Sequence, residues 1–207
     1  MNKGFFITFE GIDGSGKSTQ IDLLNKWLLE QGCEVITTRE PGGTNIGEKI
    51  REIILDPSHE EMDDITEAYL YASSRAQLVR EVILPSVASG KIVICDRFLD
   101  SSIAYQGYGR EMGNQVKLIN SVAVESCIPD LTFYLRVEPD DGQERINDRK
   151  LDRIELEGAK FRQRTFDGYE NIALEDNRRV AIINGNDSIE NIHKQIVNKV
   201  RDLISDR

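Results

Sequence analysis

Eight consecutive residues, Gly11-Ile12-Asp13-Gly14-Ser15-Gly16-Lys17-Ser18, satisfy the pattern G-x-x-x-x-G-K-[ST]. Glycines at this spacing let backbone N–H groups turn inward around phosphate oxygens. A helix opening behind them adds the positive end of its dipole. The lysine of such a loop spans the outer phosphates, and the hydroxyl after it can ligate a divalent cation. Gly11, Ile12, Asp13, Gly14, Ser15, Gly16, Lys17 and Ser18 therefore read as a cradle for ATP. Lys17 is its catalytic cation and Ser18 a Mg2+ ligand. The bland alternative is a glycine-rich turn with a surface lysine. Context argues against it: Phe5–Phe9 is an apolar, β-prone run, and Ile21, Leu23, Leu24, Trp27 and Leu28 follow at helical spacing.

Such a loop specifies a nucleoside triphosphate and leaves the reaction open. The chain has no Asn-Lys-x-Asp segment of the kind that reads a guanine base. A second apolar run, Ile92–Cys95, ends in Asp96-Arg97, a carboxylate beside an arginine rather than paired carboxylates. Asp96 can join the Mg2+ shell while Arg97 faces a second anion. That pairing suits an enzyme holding two phosphorylated substrates.

The elements that must position these groups follow from the apolar pattern. Five short runs read as strands: Phe5–Phe9, Val35–Thr38, Ile92–Cys95, Leu131–Leu135 and Val180–Ile183. Helical segments separate them, including Asn45–Leu55, a long one from about Thr66 to Val87 with a bend at Pro85, Asn114–Ser126, Pro139–Arg149, Gly158–Glu175 and Ser188–Ile204. Asp56–Asp63 reads as a polar surface loop and Lys150–Glu157 as a polar break. Strands alternating with helices predict an α/β fold of the P-loop NTPase type: three layers, a five-stranded parallel sheet flanked by helices. No repeat or linker divides the chain, so one domain is expected over 1–207.

Composition narrows the partners. The net charge is −10, the wrong sign for a nucleic-acid surface. Cys33, Cys95 and Cys127 are too few and too scattered for a disulfide framework, which fits a cytoplasmic protein. The N-terminal residues lack the layout of a secretion signal, and no apolar run is long enough to cross a membrane.

Four segments in order carry a resemblance to the bacterial thymidylate kinase family. They are Phe9–Ser18; Thr38-Arg39-Glu40-Pro41-Gly42-Gly43-Thr44; Asp96-Arg97-Phe98 with Asp100–Gly107; and Leu151-Asp152-Arg153-Ile154-Glu155. The resemblance covers nearly the whole chain. It implies ATP-dependent phosphorylation of dTMP to dTDP, Mg2+ as the accompanying ion, a homodimer, and a mobile lid at about 145–157. It also implies a cis Glu40–Pro41 peptide.

The same resemblance distributes roles. Asp13 accepts from the sugar 3′-hydroxyl; the alternative is that it only braces the loop. Arg39, Arg51, Arg75 and Arg97 surround the acceptor phosphate. Tyr71 stacks on thymine, where the family usually carries phenylalanine. Ser102 and Gln106 read the base edge. Tyr105 lies by the sugar, with Tyr169 on the opposite wall. The loop has no basic residue before Lys17, so the chain resembles the type whose catalytic arginines sit in the lid. Arg149 and Arg153 are the candidates, and Arg145 is placed near adenine.

Two rival readings stand beside this one. One is a P-loop kinase for another nucleoside monophosphate or a deoxynucleoside. The other is a nucleotide-dependent switch, which would hydrolyse ATP slowly without an acceptor and would not need Asp13.

Overall fold

A computed structural model describes residues 4–146 and 150–205 of the chain. Strands β1 (Phe6–Glu10), β2 (Val35–Arg39), β3 (Ile92–Asp96), β4 (Leu131–Arg136) and β5 (Val180–Asn184) form one sheet in the order β2-β3-β1-β4-β5. Every pairing is parallel, with Phe6 opposite Val93 and Ile7 opposite Leu131. All five predicted strands are present; β1, β3 and β4 are apolar runs buried almost throughout, and the edge strands β2 and β5 are partly exposed. The helices are α1 (Lys17–Glu30), α2 (Asn45–Leu55), α3 (Asp64–Leu78), α4 (Leu84–Ala88), α5 (Leu99–Ser102), α6 (Gln115–Val124), α7 (Pro139–Ile146), α8 (Ala159–Glu175) and α9 (Ile189–Ser205).

Alternate residues of β1 face opposite layers. Phe5, Ile7 and Phe9 pack with Leu24 and Leu28 of α1, Phe133 and Leu135 of β4, and Ile196 of α9. Phe6 packs on the other side with Leu78, Ile83, Val93, Cys95 and Phe98. Each fully buried Phe or Leu contributes ~1.5–3 kcal/mol, so the two layers hold the strand ends rigidly. From β1 the chain first builds toward β2 and β3, then returns to add β4 and β5. The sheet thus changes direction beside β1, and the crevice at that carboxyl edge is where open α/β sheets bind ligands.

Local chemistry sets the helix starts. The Thr44 hydroxyl accepts from the Gly47 N–H at 2.9 Å, and Asp63 accepts from Ile65 N–H at 2.9 Å. The long helix expected over 66–87 is interrupted earlier than Pro85. Residues Val79–Ile83 form a π-helical turn ahead of α4, whose first turn holds the proline. A second π turn, Ile103–Gly109, continues α5. Sequence reasoning found no helix there, because two glycines dilute the pattern and a π turn does not follow the 3.6-residue period.

Lys150–Glu157 is not a solvated loop. The Arg153 N–H donates to Leu55 O at 3.2 Å, and Ile154 and Glu155 are buried. Cys33, Cys95 and Cys127 are free thiols, as expected. No helix among the described residues is long and apolar enough to cross a membrane.

Candidate active site

The loop between β1 and α1 closes on itself. Gly11 has φ +133°, and a Cβ there would lie 2.6 Å from Leu135 O, so only glycine fits against β4. The Lys17 ammonium donates to the carbonyls of Gly11 and Ile12, each at 3.0 Å. Burial first, and then the neighbouring Arg97 charge, lower its pKa to about 8. Triphosphate charge beside it would favour the cation again.

A recess of about 380 Å3 opens over this loop. It is lined by Lys17, Ser18, Asp96, Arg97, Arg39 and Arg145, among others. A second, smaller recess of about 80 Å3 adjoins it. Arg51, Tyr71, Gln106, Asp152, Asp13 and Arg97 help to line that one. A larger cavity, about 780 Å3, lies elsewhere, against Tyr108, Lys117, Arg164 and Arg179. It contains no part of the phosphate loop, so its size does not make it the site.

Arg97 joins the two recesses. It follows β3 with φ 70°, an unusual backbone for a side chain of this size. Backbone bonds on both sides hold it there: Arg97 N–H to Phe9 O at 2.9 Å, and Phe98 N–H to Glu10 Oε1 at 2.7 Å. The turn aims the guanidinium back across β1. Nη1 donates to Gly11 O at 2.8 Å and to the Tyr169 hydroxyl at 3.1 Å; Nη2 donates to Asp13 Oδ1 at 2.9 Å. The Tyr105 ring lies under the cation, 5.2 Å to its centroid, and its hydroxyl donates to Asp13 Oδ2 at 3.4 Å.

Arg75 behaves differently from Arg97, and its expected place at the acceptor phosphate needs correction. Its side chain is 1% exposed. Nε and Nη2 bind Glu40 at 2.8 and 2.6 Å, Nη2 also donates to Phe98 O, and Nη1 donates to Ser102 Oγ and Asn120 Oδ1. All five N–H groups are thus used inside the protein, and none is left for a phosphate. Arg75 instead fixes Glu40, whose carboxyl burial raises to about 7 against the opposing pull of Arg75. Glu40 borders both recesses beside Pro41, and the Glu40–Pro41 peptide is cis.

Ser102 is corrected for the same reason. It is buried as the acceptor of Arg75, and the adjacent Ser101 lines the smaller recess. One residue along a helix turns a side chain by about 100°, so neighbouring serines face different partners. Gln106 does line the recess. Its Nε2 donates to Glu67 at 2.9 Å, and its Oε1 is buried without a partner. Tyr169 is not a wall of that recess. It stacks on Tyr134 and bonds Glu10, Ser101 and Arg97 from behind.

The expected lid arginines part company. Arg149 lies outside the described residues. Arg153 is turned away from the phosphate loop: Nε donates to Ile54 O at 2.8 Å and Nη2 to Glu67 at 2.6 Å. Its neighbours Asp152 and Ile154 are the ones that line the smaller recess. Arg145 instead reaches the loop. It donates to Gly14 O at 3.1 Å and to Gly185 O and Asn186 Oδ1 beyond β5. Arg39 is 53% exposed and pairs with Glu48, a contact worth only ~0–1 kcal/mol, so it can swing into the recess it borders. Arg51 donates to Pro41 O at 2.9 Å and borders both recesses.

Sequence reasoning assigned no role to Glu10, Glu67, Ser101 or Asp152. For Glu10 a signal existed: a carboxylate ending an apolar strand is costly unless it has partners. Phe98 N–H, Ser101 and Tyr169 supply them. The others have partners far off in sequence, which spacing does not reveal.

Two adjoining recesses, one over a phosphate loop and both bordered by Arg51 and Arg97, define a phosphate-loop kinase. The family model for thymidylate kinase matches residues 9–196. Thymidylate kinase of Thermoanaerobacter sp. (strain X514) is 46% identical over 200 residues, covering 96% of this chain and 98% of the relative. That of Exiguobacterium sibiricum is 46% identical over 206 residues, covering 99% and 97%. The crystal structure of thymidylate kinase from Ehrlichia chaffeensis superposes with a TM-score of 0.78 at 33% identity, covering 96% of this chain and 99% of that one. The chain belongs to the thymidylate kinase family of ATP-dependent phosphotransferases.

Proposed function

We propose that the two recesses divide the family reaction between them, the larger holding the phosphates of ATP and the smaller holding thymidine monophosphate. The reaction transfers the γ-phosphoryl group of ATP to the 5′-phosphate of thymidine monophosphate, giving dTDP for dTTP synthesis. Arg97 carries this reading, since it borders both recesses and is bonded to the loop carbonyl of Gly11.

In this arrangement Gly11–Ser18 cradle the donor and Lys17 neutralises its outer phosphates. Arg97 meets the acceptor phosphate, with Arg39 and Arg51 beside it. Asp13 accepts from the 3′-hydroxyl, Tyr105 closes on the sugar, and Tyr71 and Gln106 meet the base. Positioning and charge neutralisation supply the catalysis, with no covalent enzyme intermediate. Of the lid expected at 145–157 in a single domain over 1–207, residues 147–149 lie outside the described ones; Arg145–Ile146 and Lys150–Glu157 form its described parts and exclude water, with Arg145 as the cation on the loop side. Arg153 anchors that segment to α2 and α3.

The residues present fit Mg2+. Asp96 Oδ1 is buried without a partner, and the Ser18 hydroxyl stands exposed at the start of α1. One or two such oxygens plus substrate phosphates are the usual Mg2+ environment; Asp96 and Ser18 would hold the ion, which would supply charge neutralisation for phosphoryl transfer.

Self-association and location complete the reading. On α3 and α6, which pack together, Tyr69, Leu118 and Val122 are 56%, 77% and 74% exposed. Apolar side chains this open on adjoining helices support a homodimer through that face. Sedimentation of Val122→Glu tests it, with a monomer expected. Free thiols and the nucleotide substrates support a cytoplasmic location.

The deciding experiment is coupled ADP release across a panel of nucleoside monophosphates and deoxynucleosides, with and without a Mg2+ chelator. Mg2+-dependent turnover with thymidine monophosphate far above the rest is expected. Equal turnover without any acceptor would overturn the reading.

A further inference from the structure

Glu67 lies in the first turn of α3 with its side chain fully enclosed. Two oxygens receive four donors. Oε1 accepts from Gln106 Nε2 at 2.9 Å and Arg110 Nε at 3.3 Å; Oε2 accepts from Arg110 Nη2 at 2.9 Å and Arg153 Nη2 at 2.6 Å. Burial alone would raise the carboxyl pKa. The bonds and charge of Arg110, the Gln106 bond and the Arg153 charge outweigh it, and the carboxyl sits below its usual range. Glu67 is therefore ionised at neutral pH and can only accept hydrogen bonds.

That fixes its neighbour. A glutamine amide has one donor end and one acceptor end, and its orientation follows from its hydrogen-bond network. Facing an acceptor-only carboxylate, Gln106 must turn Nε2 toward Glu67. Its Oε1 is then the atom left buried without a protein partner, in a residue that lines the acceptor recess.

We propose that Glu67 is a specificity-determining positioning residue: by holding Gln106 Nε2, it leaves only an acceptor for the nucleobase, selecting a pyrimidine with an N3–H over one whose N3 is bare. This rests on the reading that the base lies beside Gln106. Thymine and uracil carry that N–H; cytosine presents an acceptor at the same place. Two buried acceptors facing each other leave both unsatisfied, which costs ~1–3 kcal/mol. Discrimination here comes from a mismatch built against the wrong base. Arg110 and Arg153 contribute by keeping Glu67 charged.

Glu67→Gln tests this, because a glutamine of the same size can donate as well as accept and so frees the Gln106 amide to turn. kcat/KM is measured for dTMP, dUMP and dCMP. The dTMP-over-dCMP preference should fall by ~5-fold to ~150-fold, the range equivalent to that unsatisfied-acceptor penalty. The dTMP-over-dUMP preference should stay unchanged, since both bases carry the N3–H. An unchanged dTMP-over-dCMP ratio, or a joint fall of both ratios, overturns the proposal. Gln106→Leu is run in parallel. If it leaves the dTMP-over-dCMP ratio intact, the base does not lie beside Gln106 and the underlying reading falls. If it lowers the ratio while Glu67→Gln does not, the role of Glu67 alone falls. Neutron diffraction of the unaltered protein with dTMP gives an answer independent of whether the variant folds. Deuterons of Gln106 Nε2 directed at Glu67 support the proposal, and deuterons directed at the base overturn it.

Discussion

Arg97 and Asp13 form an ion pair at 2.9 Å, and the same guanidinium holds the Gly11 carbonyl of the phosphate loop at 2.8 Å. The pair makes one residue of the loop and one residue after β3 into a single unit. Any ligand that enters either recess meets a cation already oriented by the other.

Loss of Arg97 should therefore damage both substrate binding and transfer. Arg97→Ala is expected to lower kcat/KM for dTMP by ~10²–10³-fold, the range for removing a preorganised donor at a reacting centre. Arg97→Lys should recover little of it, because one ammonium cannot reach Gly11, Asp13 and a phosphate together. Steady-state kinetics with direct dTMP binding check this. Near-normal kcat/KM in either variant would remove Arg97 from the border role.

Asp13 gives a test at the level of a single hydroxyl. Asp13→Ala should reduce turnover of dTMP far more than turnover of its 3′-deoxy analogue, which offers no 3′-hydroxyl to accept from. Equal losses on the two substrates would mean that Asp13 acts only by holding Arg97 and Tyr105.

Arg75 should behave as a stability residue. Arg75→Ala leaves Glu40 buried opposite no cation and strips partners from Ser102, Asn120 and Phe98 O. Breaking a buried ion pair from one side costs ~3–5 kcal/mol, read from urea unfolding. An unfolding midpoint equal to wild type would show that the network bears no load.

Glu67 predicts a pH dependence of stability. Its folded pKa lies below the ordinary 4.5, so its stabilising contribution is complete above that value. The contribution is lost as pH falls below about 4.5 and through the lower folded value. Glu67→Gln should be less stable than wild type by ~1–3 kcal/mol at neutral pH, with the gap narrowing on acidification. Urea midpoints measured from neutral pH downward check it, and a gap that widens in acid contradicts it.

What the sequence determined by itself is whatever nearby residues decide together. Gly11–Ser18 forms its loop from eight contiguous positions, and each apolar strand run announces its own burial. Lys17, Ser18 and Asp96 line one recess together, and the sequence pairs them because the loop and the end of β3 are local features. Tertiary structure decided which of several similar side chains line the recesses. Arg75 and Arg97 are both arginines near the crevice, yet one is consumed by Glu40, Ser102, Asn120 and Phe98 and the other looks into both recesses. Ser101 and Ser102 differ only by their angle on a short helix. Arg153 turns to Glu67 while its neighbour Asp152 lines the recess. Each outcome depends on a partner tens of residues away, and a buried donor goes to whichever acceptor packing brings within hydrogen-bond reach. That choice belongs to the assembled core, because leaving such a group unpaired costs more than any local preference.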